Sequence, residues 1–176
     1  VSRASDPLEV RQSPSIKSDG PASKITNSVK RSNELTLEAW IRTAKKDQSG
    51  PARIVTLSKN TVERNVTLGQ ENASFDVRMR SSRTDSNGLP SASTPRNYAG
   101  PKKLTHVVYT RHRDGQARIY LNGKQVKRHD VKGSLSNWRD DCRLVLADEL
   151  GGGRPWFGTF HLVAIYSRAL SSGEVK

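Results

Sequence analysis

Arginines at alternate positions are the polar feature of this sequence with the clearest chemistry. Arg78 and Arg80 share one face of an alternating strand with Asp76, and Arg64 opens the strand before it. A guanidinium fork suits sulfate, phosphate or uronate groups, because it donates two parallel hydrogen bonds to their oxygens. The same residues also fit a structural role, a ladder of arginine–carboxylate pairs across neighbouring strands. Both interpretations stay open at the level of sequence.

Two tryptophans flank a predicted strand and offer an aromatic surface for a sugar. Trp138 precedes the strand at 142–147 and Trp156 follows it, so the two could approach each other at one end of a sheet. We predict that these tryptophans, Arg154 and the loop 81–100 form a recognition rim at this end. The alternative is that both indoles anchor loops from inside the core, which is the commoner use of tryptophan.

The acidic residues predict one candidate metal site and no hydrolase. Asp148 and Glu149, followed by a run of glycine carbonyls, offer the hard oxygen ligands that calcium prefers. The alternative is that they cap a turn beside Arg154. A retaining glycosidase needs two carboxylates ~5 Å apart, and no pair on alternate residues of one strand meets that need. We therefore predict that the protein is not an enzyme and that calcium is its only candidate cofactor.

The remaining reactive side chains add no catalytic motif. The histidines, at 106, 112, 129 and 161, are too far apart for a metal-ligand spacing, and we predict hydrogen-bonded structural roles for His106 and His161, which lie within strands. Cys142 is the only cysteine, which excludes an internal disulfide and a cysteine-based zinc site.

A strong positive charge leaves an anionic partner open. The chain has 30 Lys and Arg against 17 Asp and Glu, a net charge of +13. These residues are scattered singly and in pairs, with no basic helix or RNA-binding motif, so nucleic acid is not the favoured partner. No segment approaches the ~20 apolar residues of a membrane span. No charged-then-apolar leader opens the chain, so we expect a signal peptide to be absent or removed.

Short alternating segments must position these residues. One strand places Leu37, Ala39 and Ile41 on one face and Trp40, predicted to be core as well, on the other. Asn-Gly and Asp-Gly pairs mark hairpin turns further along the chain. The pattern predicts an all-β fold, a two-sheet antiparallel β-sandwich with about ten or more strands and no long helix.

Two boundaries follow from the same pattern. Residues 1–22 are rich in Ser, Pro and charged residues, and we predict an N-terminal arm or edge strand there, with the domain at 23–176. Ser171 and Glu174 match the Ser-x-x-Glu capping box, which predicts one closing turn of helix.

Four pieces of sequence, in this order, resemble the concanavalin A-like, laminin-G-like jelly-roll domains, and in particular their bacterial branch. The pieces are Leu-Glu-Ala-Trp-Ile, Leu-Thr-His-Val-Val-Tyr, Ile-Tyr-Leu-Asn-Gly-Lys-Gln-Val, and Phe-Gly followed by Ala-Ile-Tyr-Ser-Arg-Ala-Leu-Ser and Glu-Val. Together they extend over residues 24–175. The resemblance implies two stacked antiparallel sheets in which the N- and C-terminal strands are neighbours.

The same resemblance implies a module of a larger exported protein, extracellular or periplasmic. Such domains mostly bind glycans or proteins, often with calcium, and some are glycoside hydrolases. We therefore expect a recognition module for a glycan, anionic ones included, or for a protein. A spacer or adhesion module without a small ligand is the alternative, and a glycoside hydrolase is a more distant one. The oligomeric state does not follow from the sequence.

Overall fold

The structure is a computed structural model that describes residues 15–101 and 103–176, and the backbone of residues 8–10. Twelve strands and one helix follow one another along these residues. They are β1 (Leu8–Val10), β2 (Ile16–Lys17), α1 (Ser23–Ser32), β3 (Leu35–Thr43), β4 (Ala52–Ser58), β5 (Arg64–Glu71), β6 (Ser74–Met79), β7 (Ala92–Ser93), β8 (Leu104–Arg111), β9 (Gln116–Leu121), β10 (Lys124–Asp130), β11 (Arg143–Leu146) and β12 (Gly158–Tyr166).

The strands form two six-stranded sheets. Sheet A has the order β1-β12-β3-β8-β9-β10, and sheet B has the order β2-β11-β4-β5-β6-β7. All pairings between these strands are antiparallel, and the first strand pairs with the last through Leu8 and Phe160. The predicted antiparallel β-sandwich is confirmed.

The N-terminal segment contributes a strand to each sheet. β1 lies at the edge of sheet A and β2 at the edge of sheet B. The predicted division of the chain at residue 22 stays a prediction, and residues 1–7 and 11–14 of the predicted arm lie outside the described residues.

The core lies between the sheets and follows from the alternation of apolar residues. In β3, Leu35, Leu37, Ala39 and Ile41 are at most 1% exposed. The prediction that Trp40 is core is wrong, because this residue is only half-buried and lies on the outer face of sheet A. There it stacks on His106, with ring centroids 4.3 Å apart.

One helix was not expected from the sequence. α1 has no side-chain hydrogen bond at its N-terminal cap and no acidic residue in its first turn, so the usual start signals are missing. Thr26 and Val29 bury one side of the helix, and Asn33 ends it in the left-handed conformation by donating to the carbonyl of Val29. Tertiary packing rather than capping therefore stabilises it.

The predicted closing helix is a single hydrogen-bonded turn. The Ser171 N–H donates to the Glu174 carboxylate at 2.9 Å, which is one half of the capping box. In the described part of the chain, no helix has the length and apolar character needed to cross a membrane.

Candidate functional site

The outer face of sheet B carries a cluster of buried charged side chains. Residues of β4, β5 and β6 that alternate with core-facing apolar residues form this surface, which we call the arginine face: Arg53, Thr56, Ser58, Arg64, Thr67, Asp76 and Arg78. The strand register aligns Thr56, Thr67 and Arg78 in one row across the three strands. The alternation of each strand therefore places the polar set on one face of the sheet.

Glu149 lies at the centre of the arginine face. Its Oε2 accepts a hydrogen bond from Arg53 Nε at 3.2 Å and lies 3.6 Å from Arg64 Nη1. Its Oε1 accepts from the Ser58 hydroxyl and from the Leu150 N–H. The Glu149 carboxylate thus contacts Arg53, 96 positions earlier in the sequence, and Arg64, 85 positions earlier.

Positive charge exceeds negative charge at this centre. The side chains of Arg53, Arg64 and Glu149 are at most 1% exposed, so two buried guanidinium groups share one buried carboxylate. Burial, followed by the charge of Arg53, lowers the pKa of Arg64 to about 10. Burial likewise lowers the pKa of Arg53. The arrangement favours a further anion nearby.

Arg78 connects this buried centre to solvent. Its side chain is 19% exposed, and its Nε lies 3.5 Å from Asp76 Oδ1. Its Nη1 donates to Asn87 at 3.3 Å, so the loop after β6 packs against the end of the face. Arg78 Nε and Asp76 Oδ1 face each other in this ion pair, whereas Arg64 Nε is buried without a hydrogen-bond partner among the described residues. Such atoms are rare in native structures and mark places where a ligand oxygen or water fits.

The other two predicted arginines take different positions. Arg80 lies just beyond β6, and its Nε and Nη1 are buried without a hydrogen-bond partner among the described residues. Arg154 packs against Gly50 and donates its N–H to Asp148 at 2.7 Å. Arg64 and Arg78 are therefore the predicted site arginines that meet on the arginine face.

The expected aromatic rim does not form, because both indoles lie in the core. Trp138 and Trp156 are 2% and 0% exposed. Trp138 Nε1 donates to the Arg80 carbonyl, and Trp156 Nε1 donates to the Gln70 side chain. Arg80 bonds to Asn65 at one end of β5, whereas Gln70 lies near the other end, roughly 17 Å away at ~3.3 Å per residue. The prediction that the two tryptophans approach each other is wrong.

The predicted calcium ligands are engaged within the protein. Both oxygens of Glu149 face hydrogen-bond donors, and Asp148 Oδ1 accepts the N–H groups of Glu149 and Arg154, each at 2.7 Å. In the second acidic turn, Arg139 holds both oxygens of Asp141. No group of three or more potential metal ligands occurs among the described residues. This donor set does not fit calcium in the conformation described, and calcium binding stays a prediction for experiment.

Sequence reasoning missed Arg53 and the side chain of Tyr98. Arg53 lies near the start of β4, and Arg64 starts the antiparallel neighbour β5 at the opposite end of the hairpin. Tyr98 is 43% exposed in a loop that carries no periodic signal. Arg53 and Arg64 meet only through Glu149, which reaches both of them from the segment after β11.

Solved structures with the same fold include one bound to a glycan and one in complex with a protein. A carbohydrate-binding module (CBM40) of the Ruminococcus gnavus IT-sialidase, solved with alpha2,3 sialyllactose, superimposes with a TM-score of 0.70 at 16% identity, covering 97% of this chain and 94% of that one. The binding domain of botulinum neurotoxin DC, solved with rat synaptotagmin II, gives 0.65 at 15% identity, covering 97% of this chain and 43% of that one. A heptameric SAP-like pentraxin from Limulus polyphemus gives 0.65 at 14%, covering 96% and 78%.

These identities are low enough that the structural likeness shows the fold alone. Among curated proteins, no sequence matches the chain significantly. A family model described as the concanavalin A-like lectin/glucanases superfamily, of the laminin G type, matches residues 17–176. The chain therefore belongs to the concanavalin A-like lectin/glucanase superfamily.

Proposed function

We propose that this protein is a non-catalytic recognition module of a larger exported protein, and that it binds a glycan carrying a carboxylate on the arginine face. One observation supports the proposal above the others. Two fully buried arginines share a single carboxylate, while Arg78 extends the same positive surface to solvent. A carboxylate bound beside Arg78 would balance the excess positive charge.

The acidic residues of the face support a binding role over a catalytic one. Glu149 contacts Arg53 and Arg64, while Asp76 accepts a hydrogen bond from Ser93 at 2.8 Å and lies beside Arg78. A glycosidase needs one carboxyl that keeps its proton and a second that is free to act on the sugar. Carboxylates engaged by arginines meet neither need.

The ligands of similar structures agree with this choice. The R. gnavus module was solved with sialyllactose, a sugar that carries a carboxylate, and cell entry of botulinum neurotoxin type C depends on two ganglioside molecules. The botulinum neurotoxin domain was solved with the protein synaptotagmin II, so a protein is the second candidate ligand for this module.

Binding of 3′-sialyllactose, a glucuronate disaccharide and neutral lactose, measured by calorimetry in ~0.15 M salt, tests the proposal. We expect an acidic sugar to bind and lactose not to bind. Arg78→Gln should weaken binding about tenfold or more, because a hydrogen bond to a charged group contributes about 1.5–3 kcal/mol.

Arg42→Gln is the matched control, since it removes the same charge from an exposed position on the outer face of sheet A. Equal loss in both variants would indicate diffuse attraction and contradict the proposal. Absence of binding by all three sugars, with Arg78→Gln altering only stability, would favour the spacer alternative.

A further inference from the structure

A concave surface lies away from the arginine face, between residues 97–101 and 103–105 and the hairpin of β9 and β10. This surface, the Tyr98 groove, has a volume of about 520 Å³. Pockets of ~300–1,000 Å³ are typical of small-ligand sites. Leu121 and Val126 contribute the apolar part of the lining. Its polar groups come from Tyr98, Lys103, Asn122 and Lys124.

The backbone holds Tyr98 while its ring faces solvent. The N–H groups of Tyr98 and Ala99 both donate to the Ala73 carbonyl at 3.0 Å. Ala99 is fully buried beside it, whereas Tyr98 is 43% exposed. An aromatic ring kept exposed on an anchored backbone is ready to stack on a sugar, and its hydroxyl is able to hydrogen-bond.

The charge of the Tyr98 groove has one sign. Lys103 and Lys124 are exposed, and neither makes an ion pair with a described residue. The described residues that line the groove include no carboxylate, whereas the neighbouring pocket contains Asp47 and Glu71. The groove is therefore selective for anions in a way that its neighbour is not.

One amide donor completes the surface. Asn122 Oδ1 accepts the His106 N–H at 3.0 Å, which fixes the side chain. Its Nδ2 group makes no hydrogen bond to a described residue and so remains available to a ligand hydroxyl or sulfate oxygen.

From these contacts we infer that the Tyr98 groove binds a sulfated oligosaccharide, as a second site independent of the arginine face. A pyranose ring stacks on Tyr98, and sulfate groups lie between Lys103 and Lys124. Ammonium groups act as compact point charges that suit sulfate without the planar geometry that a carboxylate–arginine pair requires.

Calorimetry with a sulfated galactan tetrasaccharide, which carries no carboxylate, and its unsulfated counterpart, in ~0.15 M salt, tests the inference. The sulfated sugar should bind at least tenfold more tightly than the unsulfated one. Tyr98→Ala and the double variant Lys103→Gln/Lys124→Gln should each weaken binding at least tenfold, while Tyr98→Phe retains most of it. Because Tyr98 and both lysines are exposed, thermal midpoints should stay close to that of the parent chain.

Lys24→Gln is the matched control, since Lys24 is an exposed lysine on α1. Arg78→Gln should leave sulfated-sugar binding unchanged, which separates this site from the arginine face. The inference is overturned if the sulfated sugar does not bind, if both tetrasaccharides bind equally, or if Lys24→Gln weakens binding as much as the lysine pair does.

Discussion

Replacing Glu149 by Gln should strongly destabilise the fold, because it leaves two buried arginines without a counter-charge. Glu149 is 0% exposed and contacts Arg53 and Arg64 at 3.2 and 3.6 Å. Removing one partner from a buried ion pair costs about 3–5 kcal/mol, since the desolvated charge of the other partner is no longer balanced. For a domain of this length, that loss lowers the melting temperature by roughly 6–20 °C.

Urea unfolding followed by tryptophan fluorescence measures this loss. The indoles of Trp138 and Trp156 are buried and report on the core. Asp140→Asn is the matched control, because it makes the same chemical change in an ion pair with Lys30 whose carboxylate is 68% exposed. Exposed pairs contribute about 0–1 kcal/mol, so the control should change little.

A second substitution separates charge from shape. Adding Arg53→Met to the Glu149→Gln variant removes one uncompensated charge while keeping an apolar stem of similar length. We expect part of the lost stability to return, since buried ion pairs can be replaced by apolar residues at little cost. A loss of unfolding free energy below about 1 kcal/mol for Glu149→Gln, equal to that for Asp140→Asn, would refute the reasoning. Breaking a buried ion pair must cost more than breaking an exposed one, because the remaining charge is cut off from water.

Three other outcomes are expected. Trp156→Phe should lower the free energy of unfolding by about 1–3 kcal/mol, since it removes the indole donor to Gln70 and core volume, and should leave sialyllactose binding intact; weakened binding at unchanged stability would contradict the buried position. Burial and then the charge of Lys127 lower the pKa of His129 to about 4, so the folded state favours the neutral ring and loses stability as the pH falls from about 6.5 towards 4. Allowing for partial exposure, the loss is about 1–2 kcal/mol, and urea unfolding at pH 7 and 4.5 should show a smaller decrease for His129→Gln; equal decreases would contradict the assignment. Thermal unfolding curves with calcium and with chelator should coincide, because Asp148 Oδ1 and both carboxylate oxygens of Glu149 already accept protein donors; a higher midpoint with calcium would show a bound ion.

The period of the apolar residues was sufficient to predict the fold. Leu35, Leu37, Ala39 and Ile41 alternate along β3 and all four are buried. Every second residue of a strand faces the same side, so the local sequence determines which face is buried. Hairpin turns such as the one at Asn122 and Gly123 joined neighbouring strands for the same local reason.

The contents of the arginine face were only partly predictable. Alternation placed Asp76 and Arg78 on one face, but nothing local indicated that Glu149 would reach Arg53 and Arg64 from a distant loop. That contact depends on the pairing of β4 with both β5 and β11, which the sheet order decides.

The positions of the aromatic residues also show which features depend on local sequence and which depend on tertiary structure. By itself, the sequence determined the alternating faces, the hairpins and the presence of a polar surface with excess arginine, because these follow from chain geometry over a few residues. Only the tertiary structure decided that Trp138 and Trp156 fill opposite ends of the core while Trp40 and Tyr98 reach the surface. Whether an indole is buried depends on which segment packs over it, and that segment is distant in the sequence.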